Sequence, residues 1–514
     1  MPLGSLDTAR RLDQSIFNLN CRYSGTSAFE RDLFIPSARA LAQLQEQVEE
    51  LRTEVQANQH ITDFWRQHFT QVLSSIAWRI ESDTRLPYAY ITRLSSFVYQ
   101  CMQADRPPNE RRAILRQKLA ALGDFFPAVL AHVQMCGPDR REQVISALDT
   151  LTANLGHAAQ YFGNDKELAQ CVARATQQVL EARERIGTLP TPDQTAPEPS
   201  FGEILGKSLG VSENYVLSWY QDDFEECQHN LHDMARRLDA SVSTQELLAH
   251  QLPAAQSPQE MFDLMRDYVK VARHHALDFI TLPEGEYCQV GPVPEQHRLD
   301  CPWGLYSGGD AKSGELTGTV CLNQYNYQAI TRGWLMLMAA HEAYPGHHAH
   351  YVKTISQKLP HTFRSGLPLT RAMAEGIAHR SERLMQHIFE NPAYPVFVAY
   401  RRLHCALRVK AEVELNVHRR PAQDIIALYQ DVMGFNEHSA RVQVQAHLMY
   451  PADGVSYYTG MRVLEQLQKE GSYQEPDFTE TIFSHGSVSL DTITNIVALP
   501  ADAKKQLGEF RQES

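Results

Sequence analysis

The chain has 514 residues and a mass of 58.3 kDa, enough for two to four folding units and for a large buried core. Its 61 acidic residues against 48 basic ones give a net charge of −13 and a pI near 5.9, which argues against nucleic acid or an anionic membrane as the main partner. Nine cysteines, an odd number scattered without C-x-x-C spacing, argue against a disulfide framework and a cysteine-based zinc site, and point to a reducing compartment.

The N-terminal stretch has no apolar core of signal-peptide length, and no window approaches a membrane span of roughly 18 apolar residues, so the expectation is a soluble cytoplasmic protein. Pro2-Leu3-Gly4-Ser5 resembles a cleavage scar, and residues 1–5 are set aside. From Ser37 to about Glu184 the pattern is one of long amphipathic helices. Leu41, Leu44, Val48 and Leu51 recur at three- and four-residue steps, and segments 61–83, 85–103, 109–136, 138–161 and 165–186 read the same way. These make an N-terminal helical domain over 6–186. A linker rich in proline follows over 187–203, and a second domain runs over 204–514. Helices resume at about 211–239, 243–250 and 257–277. Between Glu284 and Asn326, Pro, Gly and alternating residues take over; Leu316, Gly318, Val320 and Leu322 share one side of a short strand. Ser307-Gly308-Gly309-Asp310 lacks phosphate-loop spacing and reads as a turn near a cleft. A helix from about Ala329 carries the chain into its most informative segment, and further helices are expected at 363–387, 391–418, 421–433, 437–448 and 454–469. The fold class is mainly α, with a small β-sheet beside the motif helix.

That segment is His341-Glu342-Ala343-Tyr344-Pro345-Gly346-His347-His348, followed some thirty residues later by Ala374-Glu375-Gly376-Ile377-Ala378. In a zinc hydrolase, a His-Glu pair on a helix supplies a metal-binding imidazole and a carboxylate that acts on water, and a downstream Glu can complete the ligand set. The usual spacing is H-E-x-x-H, because residues i and i+4 share a helix face. Here position i+4 is Pro345, which cannot bind metal and lacks the N–H that would bond to the carbonyl of His341. The helix must therefore kink or bulge at Pro345-Gly346. The seven-residue offset of His348 keeps the face of His341, at a rise of roughly 10.5 Å on an unbroken helix, whereas a two-residue bulge would select His347. The apolar approach, Met336 to Ala340, implies that His341 and Glu342 are buried, and a buried Glu needs a partner. Taken singly, a His-Glu pair reads as solvated imidazoles and Glu375 as a capping or salt-bridged acid. Together they favour a metal site.

The sequence resembles the bacterial proteins grouped as domain of unknown function 885 (DUF885), regarded as zinc metallopeptidases of gluzincin type, which carry HEAYPGHH followed by an EGWALYAE-like segment. The match is residue by residue over 341–348 and partial over 375–382, where Ile377 stands at the family's Trp. Tyr457 and Gly460 fall on the family's P-x-x-A-x-S-Y-x-x-G, and His485, Gly486 and Ser487 on its S-H-G-S-x-P-L-D, with Ser489 in place of Pro. Arg408 and Glu412 fit an R-x-x-x-D pattern whose following His is Asn416 here. The resemblance covers roughly residues 200–495, and the N-terminal helices add no specific match. The pair Glu375-Gly376 also resembles the N-E-G-F-A segment of the aminopeptidase N family, whose Glu is the third zinc ligand.

The resemblance implies one zinc ion, or another divalent metal, held by His341, Glu375 and either His347 or His348, with Glu342 as general base in the hydrolysis of an amide bond. The substrate would be a peptide or peptide-like small molecule. Tyr457 and His485 could donate to a developing oxyanion, though a core Tyr and a capping His fit them equally. Arg408 and Arg462 could clamp a substrate carboxylate, or pair with Glu412 or Glu382. Two rival readings are a biosynthetic metalloenzyme of other chemistry and an inactive binding protein.

Overall fold

The computed structural model describes residues 6–25, 31–85, 87–103, 106–133, 136–163, 165–191, 199–249, 253–293, 301, 303–309, 314–357, 359–364, 368–389, 391–508 and 510. The chain divides into two compact units, Leu3–Glu198 and Pro199–Ser514. The Pro-rich stretch 187–203 spans that division, and its residues 192–198 lie outside the described residues.

The first unit is built from α1 (Leu6–Ser24), α2 (Ala38–Ala57), α3 (Asp63–Arg85), α4 (Pro87–Gln103), α5 (Pro108–Ala120), α6 (Leu122–Ala131), α7 (Pro138–Tyr161) and α8 (Lys166–Gly187). On α2 the anticipated stripe of Leu41, Leu44 and Val48 is buried, and the Ser37 hydroxyl accepts from Ala40 N at the helix start. The expected helix over 109–136 is two helices that meet at Ala121. Pro127, inside α6, cannot donate to the carbonyl of Gly123 and so weakens any single helix through both segments. Helix α1 was not anticipated, although Leu12, Ile16, Leu19 and Tyr23 recur at helical steps and are all buried.

The second unit begins with α9 (Phe201–Leu209), α10 (Glu213–Leu217), α11 (Tyr220–Leu238), α12 (Thr244–Ala249) and α13 (Pro258–Ala276). Three strands follow, β1 (Tyr287–Pro292), β2 (Gly304–Gly308) and β3 (Thr317–Leu322), in the order β1-β3-β2 with β1 parallel and β2 antiparallel to β3. Gly318, Val320 and Leu322 of β3 are buried, in keeping with the period-two pattern. Next come α14 (Arg332–Met338), α15 (His347–Ser356), α16 (His361–Arg364), α17 (Arg371–Leu384), α18 (Tyr394–Asn416), α19 (Ala422–Met433), α20 (Glu437–Met449), α21 (Asp453–Glu470), α22 (Glu475–Phe483), α23 (Leu490–Ala498) and α24 (Ala501–Gly508). Helix α18 is apolar nearly all round, as a helix enclosed by others must be. Its Leu403, Leu407, Ala411 and Leu415 belong to a core shared with α9, α11, α19, α20 and α21. Among the described residues no helix is long and apolar enough to cross a membrane, and no disulfide is formed.

Candidate functional site

The Thr331 hydroxyl accepts from Trp334 N and starts α14, whose buried residues lead into one turn of π-helix over residues 339–343. There Tyr344 N donates to Ala339 O at 3.0 Å, the wider ring that an interrupted ladder allows. Tyr344 leaves in an extended conformation, the Tyr344–Pro345 bond is cis, and α15 restarts at His347. Gly346 is required by proximity, since a Cβ there would lie 1.8 Å from the carbonyl oxygen of His341. The interruption expected at Pro345-Gly346 is therefore present.

It brings His347, not His348, to His341. The two rings stand 4.9 Å apart and perpendicular, and the Nε2 atoms of His341 and His347 lie 3.7 and 3.8 Å from Glu375 Oε2. His348, favoured by its seven-residue offset, belongs elsewhere. It is fully buried, with Nδ1 3.0 Å from Tyr306 Oη and Nε2 2.9 Å from Glu286 Oε2. The offset argument assumed a continuous helix axis, and the break at 344–346 removes it. Tyr306 reaches His348 by crossing Gly318, where a Cβ would meet the phenol oxygen at 2.1 Å. Glu286 also takes Arg273 Nε at 2.6 Å and the Tyr344 hydroxyl, so His348 sits in a structural network that ties β1 and β2 to the motif.

Glu375 arrives on α17, which crosses α21 at glycines. A Cβ on Gly376 would lie 2.4 Å from the Gly460 carbonyl carbon, and one on Gly460 would lie 1.8 Å from Ala372 O. Gly460→Ala should therefore force the helices apart. Overpacking of this kind costs typically about 1–3 kcal/mol, and a thermal melt should show a clear fall in Tm.

Residues Arg371, Glu375, His379 and Glu382 fall on one face of α17, a spacing of four, four and three that the sequence displays. Glu382 Oε1 lies 2.8 Å from His341 Nδ1, 3.1 Å from His379 Nδ1 and 3.8 Å from Arg401 Nε. The carboxylate thus takes the Nδ1–H of His341 and turns Nε2 toward Glu375; burial would lower this imidazole, but the Glu375 and Glu382 carboxylates at its two nitrogens raise it to about 10. Burial pushes the His347 imidazole down to about 3, which keeps it neutral and able to offer a lone pair. Burial alone would raise the Glu375 carboxyl, but His341, His347 and Arg371 hold it well below the usual range. Burial lifts Glu342 to about 7, with the Glu375 carboxylate adding to the rise and His341 opposing it.

Two observations bear on a metal. Glu375 Oε2 is buried and has no hydrogen-bond partner, a costly state unless something else satisfies it. Two ligand atoms about 2.0–2.2 Å from an ion at a tetrahedral angle stand roughly 3.3–3.6 Å apart, close to the 3.7 and 3.8 Å found here. Two groups of three have donor atoms within 4.8 Å of one another, His341, Glu342 and His347 and, second, His341, His379 and Glu382; Glu375 is in neither. The second group is already satisfied by hydrogen bonds to Glu382. Glu342 makes no hydrogen bond or ion pair with a described residue and stands beside the donors as an uncommitted carboxylate.

The remaining candidates separate. Tyr457 lies beside the cluster, its ring 5.7 Å from that of His379, and its hydroxyl accepts from Arg371 Nη2 at 2.8 Å, so its own proton is free to be donated. It is held in register by Glu412, which accepts from Ala452 N and Gly454 N at the start of α21 and from His447 Nδ1 at 3.1 Å. His485 turns to the end of α22, with Nδ1 2.7 Å from Thr481 O, and its nearest charge is Lys504. No described contact joins it to the cluster, so the capping alternative describes it. Arg462 is engaged by Asp223 at 2.8 Å and lies over Trp219 at 4.8 Å, and no described contact joins it to the cluster. Arg408 pairs with neither Glu412 nor Glu382 and lies over the Tyr457 ring at 4.7 Å. Asn416 bonds to the Glu412 carbonyl within its own helix. Ser307 and Gly308 close β2 and Gly309 O accepts from Tyr351 Oη at 2.7 Å, so these residues are a strand end against α15; Asp310 lies outside the described residues.

The sequence matches the family described as "Bacterial protein of unknown function (DUF885)" over residues 36–497, and the chain belongs to that family. The match takes in most of the N-terminal helices as well as the motifs. Among curated proteins, none matches the sequence. The fold is similar to that of a candidate lipoprotein from Colwellia psychrerythraea, with 15% identity, a TM-score of 0.77, and 98% of this chain and 99% of that one covered. A candidate lipoprotein of unknown function from Shewanella oneidensis has 14% identity and a TM-score of 0.71, with 96% of this chain and 100% of that one covered.

Proposed function

We propose that this chain is a zinc-dependent hydrolase of an amide bond in a peptide or peptide-like small molecule. The reading is carried by one observation: the Nε2 atoms of His341 and His347 meet at a buried, partnerless Glu375 oxygen, with uncommitted Glu342 beside them. His341, His347 and Glu375 would hold the ion, zinc or another divalent metal. Bound there, zinc supplies Lewis acidity that polarises a carbonyl and lowers the pKa of water.

The chain's own groups supply the rest. Glu382 fixes the tautomer and angle of His341. Glu342 takes a proton from the attacking water and delivers it to the departing amide nitrogen as the C–N bond breaks, a role open to a buried carboxylate with no hydrogen bond to a described residue. The Tyr457 hydroxyl donates to the carbonyl oxygen as charge gathers on it. Cysteines that form no disulfide among the described residues suit a reducing compartment such as the cytoplasm.

The test is metal analysis of protein purified without added metal, followed by a peptide-library assay. Near-stoichiometric zinc and a hydrolytic activity that a chelator abolishes and zinc restores are expected. Protein that takes up no zinc, or that hydrolyses no member of the library when loaded, would overturn the reading.

A further inference from the structure

Beside the His-Glu cluster lies a group of charges that hydrolysis itself does not need. Arg371 sits one helical turn before Glu375 on the same face of α17, a rise of roughly 6 Å. Its Nη2 donates to the Tyr457 hydroxyl at 2.8 Å, its guanidinium lies 5.5 Å from the Tyr457 ring centroid, and Asp453 Oδ1 is 2.9 Å from its Nε. Arg408, from α18, lies over the same ring at 4.7 Å. Its only described hydrogen bond is a long one, 3.4 Å to Gln443 Oε1, and no carboxylate among the described residues pairs with it. Glu412, one turn further along α18, is spent on the start of α21 and on His447. Two guanidiniums therefore share one tyrosine; Arg371 is answered by Asp453 and by the nearby Glu375 carboxylate, whereas Arg408 has no carboxylate within ion-pair distance among the described residues. An Arg fork without an acid, half-buried over an aromatic face, is a ready partner for an anion.

We propose that Arg371 and Arg408, gathered on Tyr457, bind a carboxylate that the substrate carries next to the bond to be cut. The inference rests on the hydrolase reading for the identity of that bond. It adds the substrate class: peptides or N-acyl amino acids with a free C-terminal carboxylate, from which the terminal residue is released. The geometry suits that class. The carboxylate of a C-terminal residue lies only a few bonds from the preceding amide, and Arg371 and Glu375 are separated by a single turn on one face. Asp453, on the Nε edge of Arg371, keeps the fork oriented while its Nη2 edge and Arg408 face Tyr457. The same contact leaves the Tyr457 proton free for the oxygen of the scissile carbonyl, so one side chain would serve both recognition and charge stabilisation.

Binding can be separated from turnover by calorimetric titration of full-length Glu342→Gln protein with N-acetylglycylphenylalanine and, in parallel, with its C-terminal amide. The acid should bind roughly 10- to 100-fold more tightly, the range of hydrogen bonds to a charged group. Arg371→Met and Arg408→Met should each erase most of that preference; Tm and zinc content should be unchanged in Arg408→Met, which breaks no ion pair with a described residue, while Arg371→Met also frees Asp453 and is read beside Arg371→Lys. Should a Met variant fold poorly, Arg408→Lys keeps the charge without the fork and should retain only part of the preference. Equal binding of acid and amide, or no binding of the acid, overturns the proposal, and so does a preference that survives both Met substitutions. Hydrolysis by the wild-type protein is read separately. A chain that prefers the acid yet cleaves nothing loses the hydrolase reading and keeps this site.

Discussion

Glu342→Gln should lower turnover of any amide the wild-type protein cleaves by at least about 10²-fold, the low end of what a positioned acid or base contributes. Fold and zinc content should not change. Gln has the shape of Glu and keeps its place in the π-turn, but it cannot accept and return a proton. Glu342 has no hydrogen bond or ion pair with a described residue, so the substitution breaks no structural contact of that kind. His341, His347 and Glu375 are untouched, so metal retention should match the wild type. The measurement is kcat and KM on the best library substrate, beside metal analysis and a thermal melt. The loss should appear in kcat, since a proton transferred only in the transition state contributes little to ground-state binding. A folded, zinc-loaded Gln variant with full activity would remove Glu342 from the chemistry.

Much of this arrangement was legible in the sequence, and what was not has physical causes. Helices over 61–83, 138–161, 165–186, 391–418 and 421–433 match observed elements closely, because long amphipathic or apolar runs carry their own period. The three-stranded sheet was readable only at β3, where apolar and polar residues alternate. At β1 and β2, Gly and Pro blur the period and pairing decides the conformation. In the site, Pro345 announced a break, yet the direction in which the chain re-emerges depends on Gly346 packing against the His341 carbonyl, a contact between backbones. The α17 face is the opposite case. Arg371 and His379 stand four residues either side of Glu375, a plain helical signal that went unused because neither belongs to the motif. Arg462 differs from its expected place for another reason. Its position on α21 near Tyr457 was visible, but its partner Asp223 comes from a helix more than two hundred residues away.

The two neighbouring histidines of α15 should behave oppositely when removed. His347→Ala should cut zinc affinity by more than about 10²-fold, since loss of an outer-shell partner alone typically costs 10- to 100-fold and His347 is proposed to bind the ion itself. The helix should survive the change. The His347 side chain makes no hydrogen bond with a described residue, the Glu375 carboxylate stands 3.8 Å from it, and Ala is a strong helix former. His348→Ala should do the reverse. It leaves Glu286 without an imidazole and Tyr306 without its ring nitrogen, and it opens a void where a fully buried ring stood. Breaking such a network and leaving a cavity costs about 2–5 kcal/mol, so Tm should fall by several degrees. Protein that remains folded should still bind zinc to a similar level. Paired measurements of zinc dissociation constant and Tm on the two variants decide the matter. If His348→Ala loses the metal and His347→Ala keeps it, the ligand has been misassigned, and the chain must turn at Pro345-Gly346 in the sense that the seven-residue offset implies.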